Sequence, residues 1–153
     1  MFYSDGLNFT CQMCSYCCAN EPGYVFLSEK DIDNLATFLA VDRDTFIKNY
    51  TRYVDYGRYY LISLKERANY DCEFLTKNGC SVYSARPVQC RTYPFWENIL
   101  SSRSNWDNES IYCKGINKGH KVSKEDIEKA LKANSDNAPL IILKNKMGNS
   151  LKK

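Results

Sequence analysis

A chain of 153 residues, 44% hydrophobic and 25% charged, has the length of one domain and the composition of a globular one, which excludes a disordered or collagen-like polymer. Its formal charge of +3 is too small to argue for nucleic acid or an anionic membrane surface as a partner. Apolar runs such as Leu140–Leu143 fall far short of the roughly 20 residues of a membrane span, and the start Met1–Gly6 has neither the basic residues nor the apolar stretch of a secretory leader, so a cytoplasmic location and no membrane partner are expected.

The first feature along the chain is sulfur, with Cys11-x2-Cys14-x2-Cys17-Cys18 packing four thiols into eight residues. Pro22-Gly23 makes a turn, and Ser28 with Asp31 three residues later reads as a helix start of the capping-box kind. Ile32, Leu35, Ala36 and Leu39 then form the stripe of an amphipathic helix. Asp42 caps a second helix that buries Phe46, Ile47 and Tyr50. Residues 59–65 alternate, with Tyr60, Ile62 and Leu64 on one face, and predict a strand.

Cys72–Leu75 and Cys80–Tyr83 flank Thr76-Lys77-Asn78-Gly79, where Asn-Gly supplies the positive-φ positions of a tight hairpin turn. Pro87 starts a short helical turn carrying Cys90, and Pro94 stops it. Ser123 and Asp126 cap a third substantial helix with Ile127, Ala130 and Leu131 inward, and residues 145–153 form a polar, flexible tail. The expected fold is a single α+β domain over residues 1–144, with short helices around a β-hairpin or small antiparallel sheet, organised by cysteine-ligated metal.

The candidate ligands are Cys11, Cys14, Cys17, Cys18, Cys72, Cys80, Cys90 and Cys113, eight thiols against one imidazole, His120. A disulfide framework needs an oxidising compartment and four distant partners for the first knot, so metal binding is the stronger expectation. With one histidine, sites of two cysteines and two histidines are excluded, and thiolate coordination selects zinc, iron–sulfur or monovalent copper. Eight thiols permit two all-thiolate centres without requiring them. Near neutral pH so many thiols stay ionised only beside a bound cation. His120 reads as a surface or supporting group.

These blocks resemble the CxxCxxCC cysteine-cluster family (the YkgJ-like, zinc- or iron-chelating domain). The resemblance runs from Cys11–Cys18 through Pro22-Gly23-Tyr24-Val25 and the helix after Ser28. It continues through Cys72-Glu73-Phe74-Leu75, Asn78-Gly79-Cys80, Tyr83–Pro87 and Cys90-Arg91-Thr92-Tyr93-Pro94-Phe95-Trp96 to Cys113-Lys114-Gly115. Lys114 departs from the pattern, where proline is commoner. The resemblance implies metal or iron–sulfur binding. A more distant one, to the flagellin lysine methylase of enteric bacteria, implies S-adenosylmethionine-linked methyl transfer, although a shared module does not fix function.

Cys-x2-Cys-x2-Cys matches the first three ligands of a bacterial ferredoxin run, whereas separations in the second half are unlike a zinc ribbon, so [4Fe–4S] is favoured over zinc. Adjacent Cys17 and Cys18 splay apart and are able to serve different centres. The radical S-adenosylmethionine spacing is absent from residues 11–18. Arg86, Arg91, Tyr93 and Trp96 flank Cys90 and are expected to support its ligation, while Lys114, Lys118 and Lys121 read as solvated charge near late cysteines. No glycine-rich phosphate loop or serine–histidine–acid triad stands out. The expected function is one or two iron–sulfur centres used in electron transfer or group transfer, with an unassigned protein or small-molecule partner. The rivals are a zinc-stabilised interaction module and a dithiol redox protein.

Overall fold

Short polar side chains set the helix starts. In the computed structural model, which describes residues 1–19 and 21–146, Ser28 Oγ accepts the Asp31 N–H at 3.0 Å and Asp31 Oδ2 accepts the Ser28 N–H at 3.1 Å. That pair is a complete capping box. Asp42 and Ser123 cap their helices through the Thr45 and Asp126 amides at 2.7 and 3.1 Å. All three caps stand where the sequence predicts them.

In chain order the elements are β1 (Leu7–Phe9), α1 (Glu29–Phe38), α2 (Arg43–Tyr50), β2 (Thr51–Asp55), β3 (Tyr59–Leu64), β4 (Leu75–Thr76) and β5 (Gly79–Cys80). They continue with α3 (Val88–Thr92), α4 (Arg103–Asn108), β6 (Ile116–Val122), α5 (Lys124–Asp136) and β7 (Ile141–Leu143). The strands pair antiparallel as β1–β6, β2–β3–β7 and β4–β5. The fold is α+β, and among the described residues no helix is long and apolar enough to cross a membrane.

Two hydrophobic clusters form. The first gathers Leu27, Ile32, Leu35, Phe46, Ile62 and Phe74 beneath α1, α2 and β3. The second gathers Leu7, Phe95, Ile99, Trp106, Ile116 and Ile127 between β1, β6, α4 and α5. A fully buried side chain of this size contributes about 2 kcal/mol. Asp31 knits the layers together. Its carboxylate also accepts from the Val88 N–H at 3.1 Å and from Asn137 Nδ2 at 2.8 Å, tying the start of α3 and the end of α5 to α1.

Two expectations need correction. Burial along β3 does not alternate: Ile62, Ser63 and Leu64 are all buried. The extended segment 25–27 covers that end, with the Leu27 N–H donating to the Ile62 carbonyl at 2.9 Å and the Val25 N–H to Ser63 Oγ at 3.0 Å. The hairpin is shorter than predicted, since Thr76 pairs with Gly79 and Tyr83–Ala85 forms a single 3-10 turn. Gly79 takes φ 100° and opens the return strand, while Asn78 keeps negative φ, so the turn needs one left-handed residue and not two. Of the tail, Asn145 and Lys146 complete a 3-10 turn begun at Lys144, and residues 147–153 lie outside the described residues. Strands β1, β2, β6 and β7 and helix α4 went unpredicted, because short or half-exposed segments leave little periodicity to detect.

Candidate metal centre

The early cysteines leave the end of β1. There the Thr10 N–H donates to the Gly115 carbonyl at 3.4 Å, and Thr10 Oγ1 accepts the His120 N–H at 2.9 Å. Gly115 allows this contact, since a Cβ there would collide with the Thr10 carbonyl. Met13 and Ser15 take left-handed φ values of 54° and 61°, which wind the loop tightly. Tyr16–Cys18 closes it as a 3-10 turn, leaving Cys17 Sγ and Cys18 Sγ 3.9 Å apart.

The later cysteines come to this loop from separate elements. The Cys72 N–H donates to the Cys18 carbonyl at 2.7 Å, fastening the approach to β4 onto the first knot. Cys80 sits on β5 opposite Leu75, and Cys90 lies in α3. Cys113 follows a 3-10 turn, its N–H donating to the Glu109 carbonyl at 2.8 Å. All eight cysteines are free; Cys11, Cys14 and Cys17 are exposed and the other five half-buried.

Their electrostatics reflect crowding. Burial, followed by the neighbouring Cys72, Cys17 and Cys80, pushes the Cys90 thiol up to about 12. Burial also raises Cys72 and Cys113. Cys17 and Cys18 share a proton: the Cys18 hydrogen bond lowers Cys17 to about 7, with help from Arg86, and the same bond raises Cys18. The Met13 N–H donates to Cys11 Sγ at 3.4 Å, from two positions on. The Phe74 and Gly115 amides, likewise two positions on, act against burial at Cys72 and Cys113 by favouring their thiolates. Such donors offset thiolate charge.

Among the residues expected to support ligation, Arg86 lies 3.7 Å from the centre of the Tyr83 ring, and its charge favours the thiolates of Cys17 and Cys90. Arg91 is exposed at the end of α3, and among the described residues no hydrogen bond or ion pair ties it to a cysteine. Tyr93 donates its hydroxyl to Glu109 Oε1 at 2.6 Å near Cys113 and Cys17, and burial with that bond keeps the phenol protonated well above its ordinary range. Trp96 donates its indole N–H to the Gln89 carbonyl at 3.1 Å and Thr92 Oγ1 at 3.2 Å, bracing α3. His120, Lys114, Lys118 and Lys121 are exposed.

Thr10, Gln89 and Glu109 were not singled out from sequence, and Gly115 entered only as part of the Cys113-Lys114-Gly115 block. Gln89 bonds the Phe26 amide and Tyr24 carbonyl, anchoring the helix that carries Cys90. Only for Gly115, two residues beyond a cysteine, was there a local signal. Among the described residues no three histidine, cysteine, aspartate or glutamate side chains already form a metal-holding group, so ligation requires the thiols to turn inward. The donor set nevertheless fits a thiophilic metal: every cysteine is free, and the Met13 amide donates to Cys11 Sγ.

A sequence model of the CxxCxxCC family, described as "Putative zinc- or iron-chelating domain", matches residues 10–114. An uncharacterized protein of Methanocaldococcus jannaschii is 29% identical over 119 residues, covering 74% of this chain and 61% of that relative. The chain thus spans about three fifths of the relative's length. No solved structure matches.

Proposed function

The chain belongs to the CxxCxxCC family, and on that premise we propose that its cysteines hold iron–sulfur centres, of the [4Fe–4S] type, that serve electron transfer. The observation carrying this reading is the tight cysteine loop, where the Met13 amide donates to Cys11 Sγ at 3.4 Å, Cys17 and Cys18 set their sulfurs 3.9 Å apart, and the Cys72 N–H donates to the Cys18 carbonyl at 2.7 Å. An anionic cluster gains from N–H groups aimed at its sulfurs, and such hydrogen bonds tune its potential. The cluster, when bound, supplies one-electron chemistry; the protein supplies thiolates, amides and the Arg86 charge. Exposure of Cys11, Cys14 and Cys17 keeps this edge open to a redox partner. A cytoplasmic site of action is part of the same proposal, since reduced thiols persist there.

The test is anaerobic purification followed by iron, zinc, acid-labile sulfide and a visible spectrum. A brown protein with equal iron and sulfide that bleaches reversibly on reduction supports the proposal. A colourless protein carrying only zinc replaces it with a structural module, and a protein without metal replaces it with thiol redox chemistry.

A further inference from the structure

The exposed cysteines sit on an uncharged loop beside a strip of unpaired lysines. Residues 6–20 carry no charge, while between Glu109 and Glu125 the chain has four lysines, one histidine and no carboxylate. The fold lays the second segment along the first. Lys121 pairs with Asn8, and Thr10, the residue before Cys11, accepts the His120 N–H at 2.9 Å and donates its own N–H to the Gly115 carbonyl at 3.4 Å. Asn117–Lys121 are exposed on β6, which pairs only with β1 among the described strands. The lysines of α5 find carboxylates on their own helix, Lys124 on Glu128, Lys129 on Asp126 and Lys132 on Asp136. Lys114, Lys118 and Lys121 are exposed and, among the described residues, join no ion pair; together they match the whole chain's excess charge of +3.

The same edge carries apolar side chains. Met13 is 64% exposed, with its Sδ 3.8 Å from Cys11 Sγ, and Ile111, 74% exposed, and Tyr112 precede Cys113. The Tyr112 and Tyr16 ring centres lie 6.2 Å apart, which holds that segment against the cysteine loop. Single exposed apolar residues are ordinary on a protein surface; three gathered at one edge among unpaired cations mark a contact surface.

We infer that this edge docks an acidic one-electron carrier protein, with Met13, Ile111 and Tyr112 at the contact and Lys114, Lys118 and Lys121 facing carboxylates around the carrier's redox group. The inference rests on the electron-transfer reading above and names the class of its partner. A carrier must arrive and leave quickly, so attraction between opposite charges sets the encounter rate, while a small apolar contact excludes water where the redox groups meet. The complex passes one electron from the reduced partner to the oxidised one, and no bond is made or broken. Lysine in place of arginine favours protein carboxylates over a nucleic acid: the planar guanidinium is the two-pronged reader of phosphate, and the strip contains none.

The test measures binding by calorimetry on the protein as purified, its metal content determined on the same sample, against an acidic [2Fe–2S] ferredoxin, a basic cytochrome c and a single-stranded oligodeoxynucleotide. The expected result is that ferredoxin binds, that its affinity falls at least about tenfold from low to physiological ionic strength, and that carbodiimide cross-links join its carboxylates to Lys114, Lys118 or Lys121. Lys118→Glu with Lys121→Glu should lose about tenfold in affinity, whereas Lys30→Glu with Lys48→Glu, the same change of charge on α1 and α2, should lose less than about twofold. Ile111→Ser should lose about threefold without altering the salt dependence. Far-UV circular dichroism identifies a variant that fails to fold, in which case the wild-type cross-links decide. No ferredoxin binding, cross-links confined to other lysines, equal losses in the two charge-reversed pairs, or tighter binding of cytochrome c or the oligonucleotide overturns the inference. Ferredoxin binding at this edge by a protein without redox-active metal sustains the acidic-partner surface and overturns the electron-transfer reading. A redox-active centre without such binding overturns the surface and leaves that reading standing.

Discussion

Gly115 joins β6 to the start of the cysteine loop because it has no side chain: a methyl group there would press on the Thr10 carbonyl and the Phe9 ring. Gly115→Ala should therefore destabilise the protein by about 2 kcal/mol, measured by urea unfolding, through forced separation of β1 from β6. Within the loop, Ser15 takes the left-handed conformation at φ 61°. Ser15→Gly should be neutral or raise stability by up to about 1 kcal/mol and leave bound metal unchanged. A fall in metal content would mean that the serine hydroxyl acts directly at the centre. Ser15 does not declare its role in one dimension, and Gly115 does so only by standing two residues beyond a cysteine. The turn at Gly79 was half legible: the glycine marks the turn, but pairing of Thr76 with Gly79 decides which residue goes left-handed.

Among the elements, α3 depends most on contacts from elsewhere. It is five residues long, too short to persist alone, and it carries Cys90. Asp31 holds its first turn through the Val88 amide, and Trp96 holds its last turn through the Gln89 carbonyl and Thr92. Asp31→Ala leaves the Ser28 and Val88 amides and the Asn137 side chain without their acceptor. A loss of about 3 kcal/mol is expected, with faster alkylation of Cys90 in the metal-free protein as α3 loosens. Ser28→Ala, which removes the cap on α1 and the bond from Ser28 Oγ to Asn137 Oδ1 at 2.7 Å but leaves the Val88 amide its acceptor, should cost about 1–2 kcal/mol. Equal losses in these two variants would show that Asp31 acts through the capping box alone.

For the whole molecule, two apolar clusters are built from residues on helices and strands, with cysteines at their margins. Chelation should lower the melting temperature and free the cysteine loop but preserve most far-UV circular dichroism, unlike a small zinc finger that unfolds without its ion. Binding should also depend on pH. Cys90, pushed up to about 12, and the raised Cys72 and Cys113 are protonated across the neutral range and lose protons when they ligate. Apparent zinc affinity should thus rise more than about tenfold from pH 6 to pH 8, with proton release measurable in weakly buffered solution. An affinity flat across that range would mean that thiols are not the ligands.

The sequence by itself determined what depends on local chemistry. Ser28, Asp42 and Ser123 stop or start helices through their own side chains, Pro87 precedes the helix of Cys90, and eight thiols with one imidazole restrict the metals that bind well. The α+β class follows from the same local patterns. Tertiary structure decided the rest. Cys72 lies 54 residues beyond Cys18 in the numbering yet donates its amide to that residue's carbonyl, and β1 finds β6 across the whole cysteine-bearing segment. Pairings of that range are fixed by which apolar faces bury together, a property no short window of sequence contains. The same burial sets Cys72 and Cys80 on one cluster and Cys113 on the other, because each cysteine follows the element whose side chains leave water.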